Sequence, residues 1–104
     1  MSESVIELAT RPDLDCRVRS TAQRIFDEAE RLPAESIVVD FRDVSFLASF
    51  VAVEYLQRKV TCRKVVREVN LSEDVTRMFE VAQKRLAGTA HHPSVAETST
   101  PITL

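Results

Sequence analysis

The chain has 104 residues and a net charge of −2, with 44% hydrophobic and 29% charged residues, the balance of one small globular domain. The near-neutral charge gives no global attraction to nucleic acid or to an anionic membrane, and no apolar run reaches the ~20 residues of a membrane helix. A single glycine excludes the glycine-rich loops that cradle phosphates. Two cysteines without the spacing of a metal site or a disulfide framework favour a reducing cytoplasm, where we expect the protein to reside.

Strand and helix patterns alternate from residue 5 onward. The apolar residues of 5–9 predict a short first strand. Apolar residues at helical spacing from Val18 to Leu32 predict a first helix, which Pro33 ends. The continuous apolar run at 36–41 predicts a central strand that is covered on both faces.

The segment 42–60 contains the most specific pattern of the chain, a polar turn followed by the start of a helix. After the turn at 42–43, we expect the apolar segment 44–47 to run beneath the sheet. Ser49 is placed to cap the second helix, because a serine hydroxyl accepts a hydrogen bond from an amide left unpaired in the first turn. This helix is predicted to run to about residue 60.

The remainder of the chain predicts a third strand, a third helix and a tail. The strand is predicted at 64–69. Residues 70–74 supply capping and acidic side chains for the start of the helix, and Gly88 is a natural end. Residues 87–104 lose both periodicities and are rich in Thr, Ser and Pro, so they are predicted to be a tail. The predicted architecture is a single α/β domain at 1–86, with about three helices packed on a small sheet.

Three further groups of residues are considered as catalytic, nucleic-acid-binding or metal-binding sites. Asp40 and Asp43 would act as an acid–base pair if they converged, but a strand end and a turn are ordinary places for aspartate. The basic segment 58–67 would suit nucleic acid, yet it lacks interleaved aromatic residues for base stacking, and we expect a solvated face. His91 and His92 have too few neighbouring ligands for a metal site. No catalytic residue, metal or cofactor is therefore expected.

The run VVDFRDVSFLAS at 38–49 resembles the STAS family of anti-sigma-factor-antagonist-like domains. In that family a hydrophobic strand ends in an aspartate, here Asp40, and a V-x-F segment leads to a helix that begins with hydroxyl residues, here Ser49. The resemblance covers residues 5–86 and is closest to the divergent STAS-like group of unassigned function. It implies a small mixed sheet with helices packed on it, and a non-enzymatic protein that docks on an ATPase-like kinase or another regulator.

The resemblance also implies a docking surface at the start of the second helix. Ser49 and Phe50 would contact the partner, with Arg42 and Glu54 in support, and phosphorylation of Ser49 would switch the contact. The acid-hydroxyl-hydroxyl-glycine pattern of the family is replaced at 48–51 by Ala-Ser-Phe-Val, so docking without the switch is an alternative. The expected partner is a protein, an ATPase-like kinase or a transcription regulator. Association with nucleic acid through the basic segment, and self-association through a sheet edge or the tail, are further alternatives.

Overall fold

Helices and strands alternate along the chain, as the sequence predicts. A computed structural model describes residues 2–90, with side chains through residue 87. The α/β class, with three helices on a small sheet, is confirmed. The elements are β1 (Glu3–Glu7), a 3₁₀ turn (Leu8–Thr10), α1 (Thr21–Arg31), β2 (Ser36–Asp40), α2 (Ser49–Thr61), β3 (Val65–Val69) and α3 (Glu73–Ala90).

The three strands form one sheet in the order β1-β2-β3, and both pairings are parallel. Successive strands are joined by a helix, and such a crossover returns the chain to the sheet in the same direction. The sheet within residues 2–90 therefore differs in one detail from the mixed sheet that the family resemblance implies, since none of its strands is antiparallel.

The hydrophobic core lies between one face of the sheet and the three helices. Alternate residues of a strand point to opposite faces, and Ile6, Ile37 and Val39 of the inner face are at most 1% exposed. Burying each such side chain contributes roughly 1.5–3 kcal/mol to folding. The helices contribute Ala22, Ile25, Phe26 and Ala29 from α1, Val51, Ala52 and Tyr55 from α2, and Val75 and Ala82 from α3.

Three consecutive residues of the central strand are buried, although the helices pack on only one face of the sheet. Ile37 and Val39 are completely buried on the inner face, and Val38, whose side chain points the other way, is only 6% exposed. Val38 does not belong to the core cluster. Its burial therefore has a separate cause on the opposite face of the sheet.

Tyr55 anchors α2 to the rest of the core. Its ring centroid lies 4.9 Å from that of Phe26, 6.1 Å from that of Phe41 and 5.3 Å from that of Phe79. Edge-to-face arrangements of this kind stabilise a core beyond the area they bury. Because Tyr55 contacts rings from α1, α3 and the segment after β2, it fixes the position of α2 on the sheet.

The first strand lies two residues earlier in the chain than the sequence predicts, and the first helix begins later than predicted. Leu8 and Ala9 belong to the 3₁₀ turn, where the Arg11 amide donates to the Leu8 carbonyl at 3.1 Å. The helix begins at Thr21, and Val18 lies before it with 48% of its surface exposed. Successive turns at 11–20 take up the hydrogen-bonding groups that a longer strand or helix would otherwise use.

The start of α3 is confirmed and its predicted end is wrong. The Ser72 hydroxyl accepts a hydrogen bond from the Val75 amide at 3.1 Å, and Glu73 and Asp74 occupy the first turn. The helix continues through Gly88 to Ala90, because a glycine weakens a helix interior without forbidding it. The predicted tail begins at residue 87, and its part from 91 to 104, which includes both histidines, lies outside the described residues.

Candidate functional site

The start of α2 is fixed by Ala48, so the predicted cap at Ser49 is wrong. Ala48 is the last extended residue (φ −67°, ψ 145°), and no side chain caps the helix. Its carbonyl accepts hydrogen bonds from the Val51 and Ala52 amides, at 3.1 and 3.0 Å. A cap must lie just outside the helix with extended backbone, whereas Ser49 is already the first helical residue and is half-buried.

Two phenylalanines are exposed around this helix start. Phe46 is 54% exposed and Phe50 is 40% exposed. The guanidinium carbon of Arg19 lies 5.0 Å from the centroid of the Phe50 ring, close enough for a cation–π contact. Phe46 lies four residues before Phe50, so the two Cα atoms are at most about 14 Å apart. We call Arg19, Phe46 and Phe50 the aromatic surface.

The segment 44–47 was expected to run beneath the sheet, but only part of it does. Leu47 is buried at 3% exposure and Val44 packs against the core, but Ser45 and Phe46 face outward. Exposure does not alternate along this segment, because Ser45 and Phe46 are both exposed whereas Leu47 and Ala48 are both buried.

The two supporting residues predicted from the sequence lie on different elements, Glu54 in α2 and Arg42 in the turn after β2. Glu54 lies one turn beyond Phe50 on the same side of α2, where Arg58 Nε donates to its carboxylate at 2.8 Å. Arg42 is exposed in the turn after β2, and its amide donates to Asp40 Oδ1 at 2.9 Å. Within residues 2–90 the Arg42 side chain makes no hydrogen bond or ion pair with Ser49 or Glu54.

An open cleft of about 440 Å³ adjoins Phe46, between the 8–17 and 43–46 segments. Its walls include leucine, proline and valine side chains beside charged ones. Hydrogen bonds from Arg17 hold the pKa of Asp15 at about 2, so this carboxylate is ionised at neutral pH. A partly apolar cleft with an ionised carboxylate suits a docked side chain better than general acid catalysis, which needs a raised pKa.

The surroundings of Asp40 do not favour an acid–base role. The Asn70 amide donates to Asp40 Oδ1 at 2.9 Å, and this bond, with the Arg42 amide, lowers the pKa of Asp40. Asp43 is exposed in the adjacent turn with a left-handed backbone, φ 64°, a conformation that aspartate tolerates. A lowered pKa keeps Asp40 ionised, which is opposite to the requirement for a general acid.

The basic segment 58–67 is largely neutralised by the chain itself. Three of its cations form ion pairs and a fourth donates to backbone carbonyls at the end of α1. Such contacts reduce the positive charge available to a phosphate backbone. The partners are Glu54 for Arg58, Glu68 for Lys59, Glu3 for Arg67 and the Ala29 carbonyl for Lys64.

The aromatic surface contains two residues that the sequence analysis did not select. Arg19 was missed because its contact with Phe50 is tertiary and leaves no local pattern. No pattern in the sequence distinguishes the exposed Phe46 from its buried neighbour Leu47. Elsewhere in the described chain, no helix is long and apolar enough to cross a membrane, and no three His, Cys, Asp or Glu side chains are grouped to hold a metal ion.

Comparison with known proteins gives no relative for this chain. No protein-family model matches it, and neither a curated protein nor a solved structure is significantly similar to it. The STAS resemblance therefore stays a prediction from the motif at 38–49. The function has to be argued from the geometry of the site.

Proposed function

We propose that this chain is a non-enzymatic, STAS-like interaction module that binds a protein partner through the aromatic surface. The observation that carries the proposal is the exposure of Phe46 and Phe50, 54% and 40%, together with the contact of the Arg19 guanidinium with the Phe50 ring. Aromatic and arginine side chains are enriched at the centres of protein interfaces, where they contribute most of the binding free energy.

The backbone holds this surface in place before any partner binds. The Ala48 amide donates to the Cys16 carbonyl at 3.0 Å, which ties the segment carrying Phe46 to the segment carrying Arg19. The Val44 amide donates to the Phe41 carbonyl at 3.0 Å within the first of these segments. A surface that is already ordered loses less conformational entropy on binding, which supports a docking role.

The partner that fits the STAS resemblance is an ATPase-like kinase or a transcription regulator in the cytoplasm. Ser49 lies beside the Arg19–Phe50 pair in the first turn of α2. A phosphate on its hydroxyl would meet the unpaired amides of that turn. It would also add negative charge to the aromatic surface, which would alter docking.

Affinity capture from a lysate of the source organism tests this function. The baits are the wild-type chain, Phe50→Ala, Ser49→Asp and a matched control, Val81→Ala, whose side chain is 42% exposed on α3. We expect a specific protein to be retained by wild type and Val81→Ala and to be recovered about tenfold less with Phe50→Ala, as for a central interface residue. Recovery of the same proteins with all four baits would show that the aromatic surface is not the docking site.

A further inference from the structure

The sheet has a second face that no described element covers. We call it the outer face. Val5 is 55% exposed there and Val65 is 65% exposed, while all three helices pack on the opposite side. From the strand register, the outer face consists of Glu3, Val5, Glu7, Ser36, Val38, Asp40, Val65, Arg67 and Val69.

An ion pair across the outer face accounts for the burial of Val38. Arg67 on β3 and Glu3 on β1 are separated by β2, yet Arg67 Nη2 lies 3.0 Å from Glu3 Oε2. Arg67 is level with Val38 in the register, so its aliphatic stem lies over that valine. Val5 and Val65 remain uncovered. Parallel sheets are normally buried on both faces, and this one lacks its second layer within residues 2–90.

The charge of the outer face is unbalanced at one end. Glu7 and Asp40 are neighbours in the register of β1 and β2. Like charges side by side on a sheet are destabilising. Glu3 is neutralised by Arg67, but neither Glu7 nor Asp40 has an ion pair within residues 2–90. Hydrogen bonds from the Asn70 side chain and the Arg42 amide stabilise the ionised Asp40. Glu7 is therefore the acid at this end to which a cation of a partner would add a first pairing within residues 2–90.

The size of the outer face also restricts what binds to it. Three strands of five residues span about 14 by 16 Å at the usual spacings. That footprint is far below the ~800 Å² per partner of a stable dimer, and two copies would bring like charges together. A single helix of about 11 residues has the same length.

We propose that the outer face binds an amphipathic helix of a partner protein, with its apolar stripe on Val5 and Val65 and its lysine or arginine side chains over Glu7 and Asp40. The helix would supply the second layer that parallel sheets require. This surface is separate from the aromatic surface, so the chain would hold two partner segments at once. The small footprint makes the contact a weak, transient one.

The test is an NMR titration of the isotopically labelled full chain with a synthetic amphipathic peptide of about 14 residues, leucine on one face and lysine on the other. A peptide with glutamate in place of lysine is the control ligand. We expect the lysine peptide to shift the methyl signals of Val5 and Val65. Glu7→Lys should weaken binding about tenfold, whereas the matched charge reversal Glu80→Lys, on the exposed side of α3, should have little effect.

Four results would overturn the proposal. They are equal affinity for Glu7→Lys and Glu80→Lys, no binding of the lysine peptide, a dimer in sedimentation that Val5→Lys dissociates, and nuclear Overhauser contacts between the valine methyls and residues 91–104 of the free chain. The last two would assign the outer face to a second copy or to the chain itself. Phe50→Ala should leave the peptide titration unchanged. A negative result for the outer face would therefore not bear on the proposal that the aromatic surface binds a partner.

Discussion

At the scale of single residues, Tyr55 connects the core to a polar network. Its side chain is 1% exposed, and its hydroxyl donates to the Glu68 carboxylate at 2.7 Å. Lys59 Nζ donates to the other oxygen of Glu68 at 2.9 Å. A buried hydroxyl without a partner would be costly, so this network allows the aromatic ring of Tyr55 to lie in the core and ties α2 to β3.

Removal of this hydroxyl should lower the stability of the fold. We expect Tyr55→Phe to reduce the free energy of unfolding by about 1.5–3 kcal/mol, the net value of a hydrogen bond to a charged group. Urea denaturation followed by circular dichroism measures the change. Glu73→Gln is the control, because the ion pair of Glu73 with Arg77 is exposed and such pairs contribute little. Equal costs for both variants would show that the network does not stabilise α2.

Cys16 should make the fold sensitive to alkaline pH. Burial raises the pKa of its thiol from 9 to about 11. Between these values the unfolded chain loses the proton and the folded chain keeps it. The stabilising contribution of the thiol is therefore complete below pH 9 and is lost as pH rises through 11, by roughly 3 kcal/mol at most.

Urea denaturation over the range from about pH 8 to pH 11 tests this dependence. We expect Cys16→Ala to show a shallower loss of stability with rising pH than wild type, whatever its stability at neutral pH. Burial also raises the pKa of Tyr55 well above 10, so some loss above pH 10 should persist in the variant. Identical slopes for the two proteins would contradict an effect of the buried thiol.

At the scale of elements, Lys64 joins the end of α1 to the start of β3. Its ammonium group donates to the Ala29 carbonyl at 2.8 Å and also to the Leu32 carbonyl. The last carbonyls of a helix have no partner within the helix, and a cation there is also favoured by the helix dipole. Lys64 therefore ends α1 and positions β3 with one side chain.

Replacement of Lys64 should destabilise the domain more than replacement of the adjacent Arg63. We expect Lys64→Met to lower the free energy of unfolding by about 1–3 kcal/mol, because buried carbonyls lose a charged donor. Arg63→Met is the matched control, since Arg63 is exposed at the adjacent position, and its cost should stay within about 0.5 kcal/mol. Urea denaturation of both variants measures the difference, and similar costs would contradict the proposed role of Lys64.

Most of the fold could be predicted from local patterns, and the site only in part. The burial of β2 and the start of α3 at Ser72 follow from β-branched residues and capping chemistry. The start of α2 at Ala48 does not, because it depends on a hydrogen bond that the Ala48 amide donates to the distant Cys16 carbonyl. The exposure of Phe50 was expected, but its contact with Arg19 arises only when the segment before α1 folds against α2.

At the scale of the whole molecule, the arrangement of layers explains where the surfaces lie. Helices cover only one face of the sheet, which leaves the outer face open within residues 2–90. The aromatic surface lies beyond the carboxyl end of β2, in the segments that join strands to helices. In parallel α/β folds this edge of the sheet is where binding sites usually form, while the rigid sheet and core hold the connecting segments in position.

Photocrosslinking in living cells of the source organism tests the aromatic surface most directly. A photoreactive benzoylphenylalanine replaces Phe46, Phe50 or, as the control, the exposed Val81 of α3. We expect positions 46 and 50 to form the same covalent adduct with one partner protein after irradiation, and position 81 to form none. An adduct from position 81 alone, or no adduct from either phenylalanine position, would contradict docking through the aromatic surface.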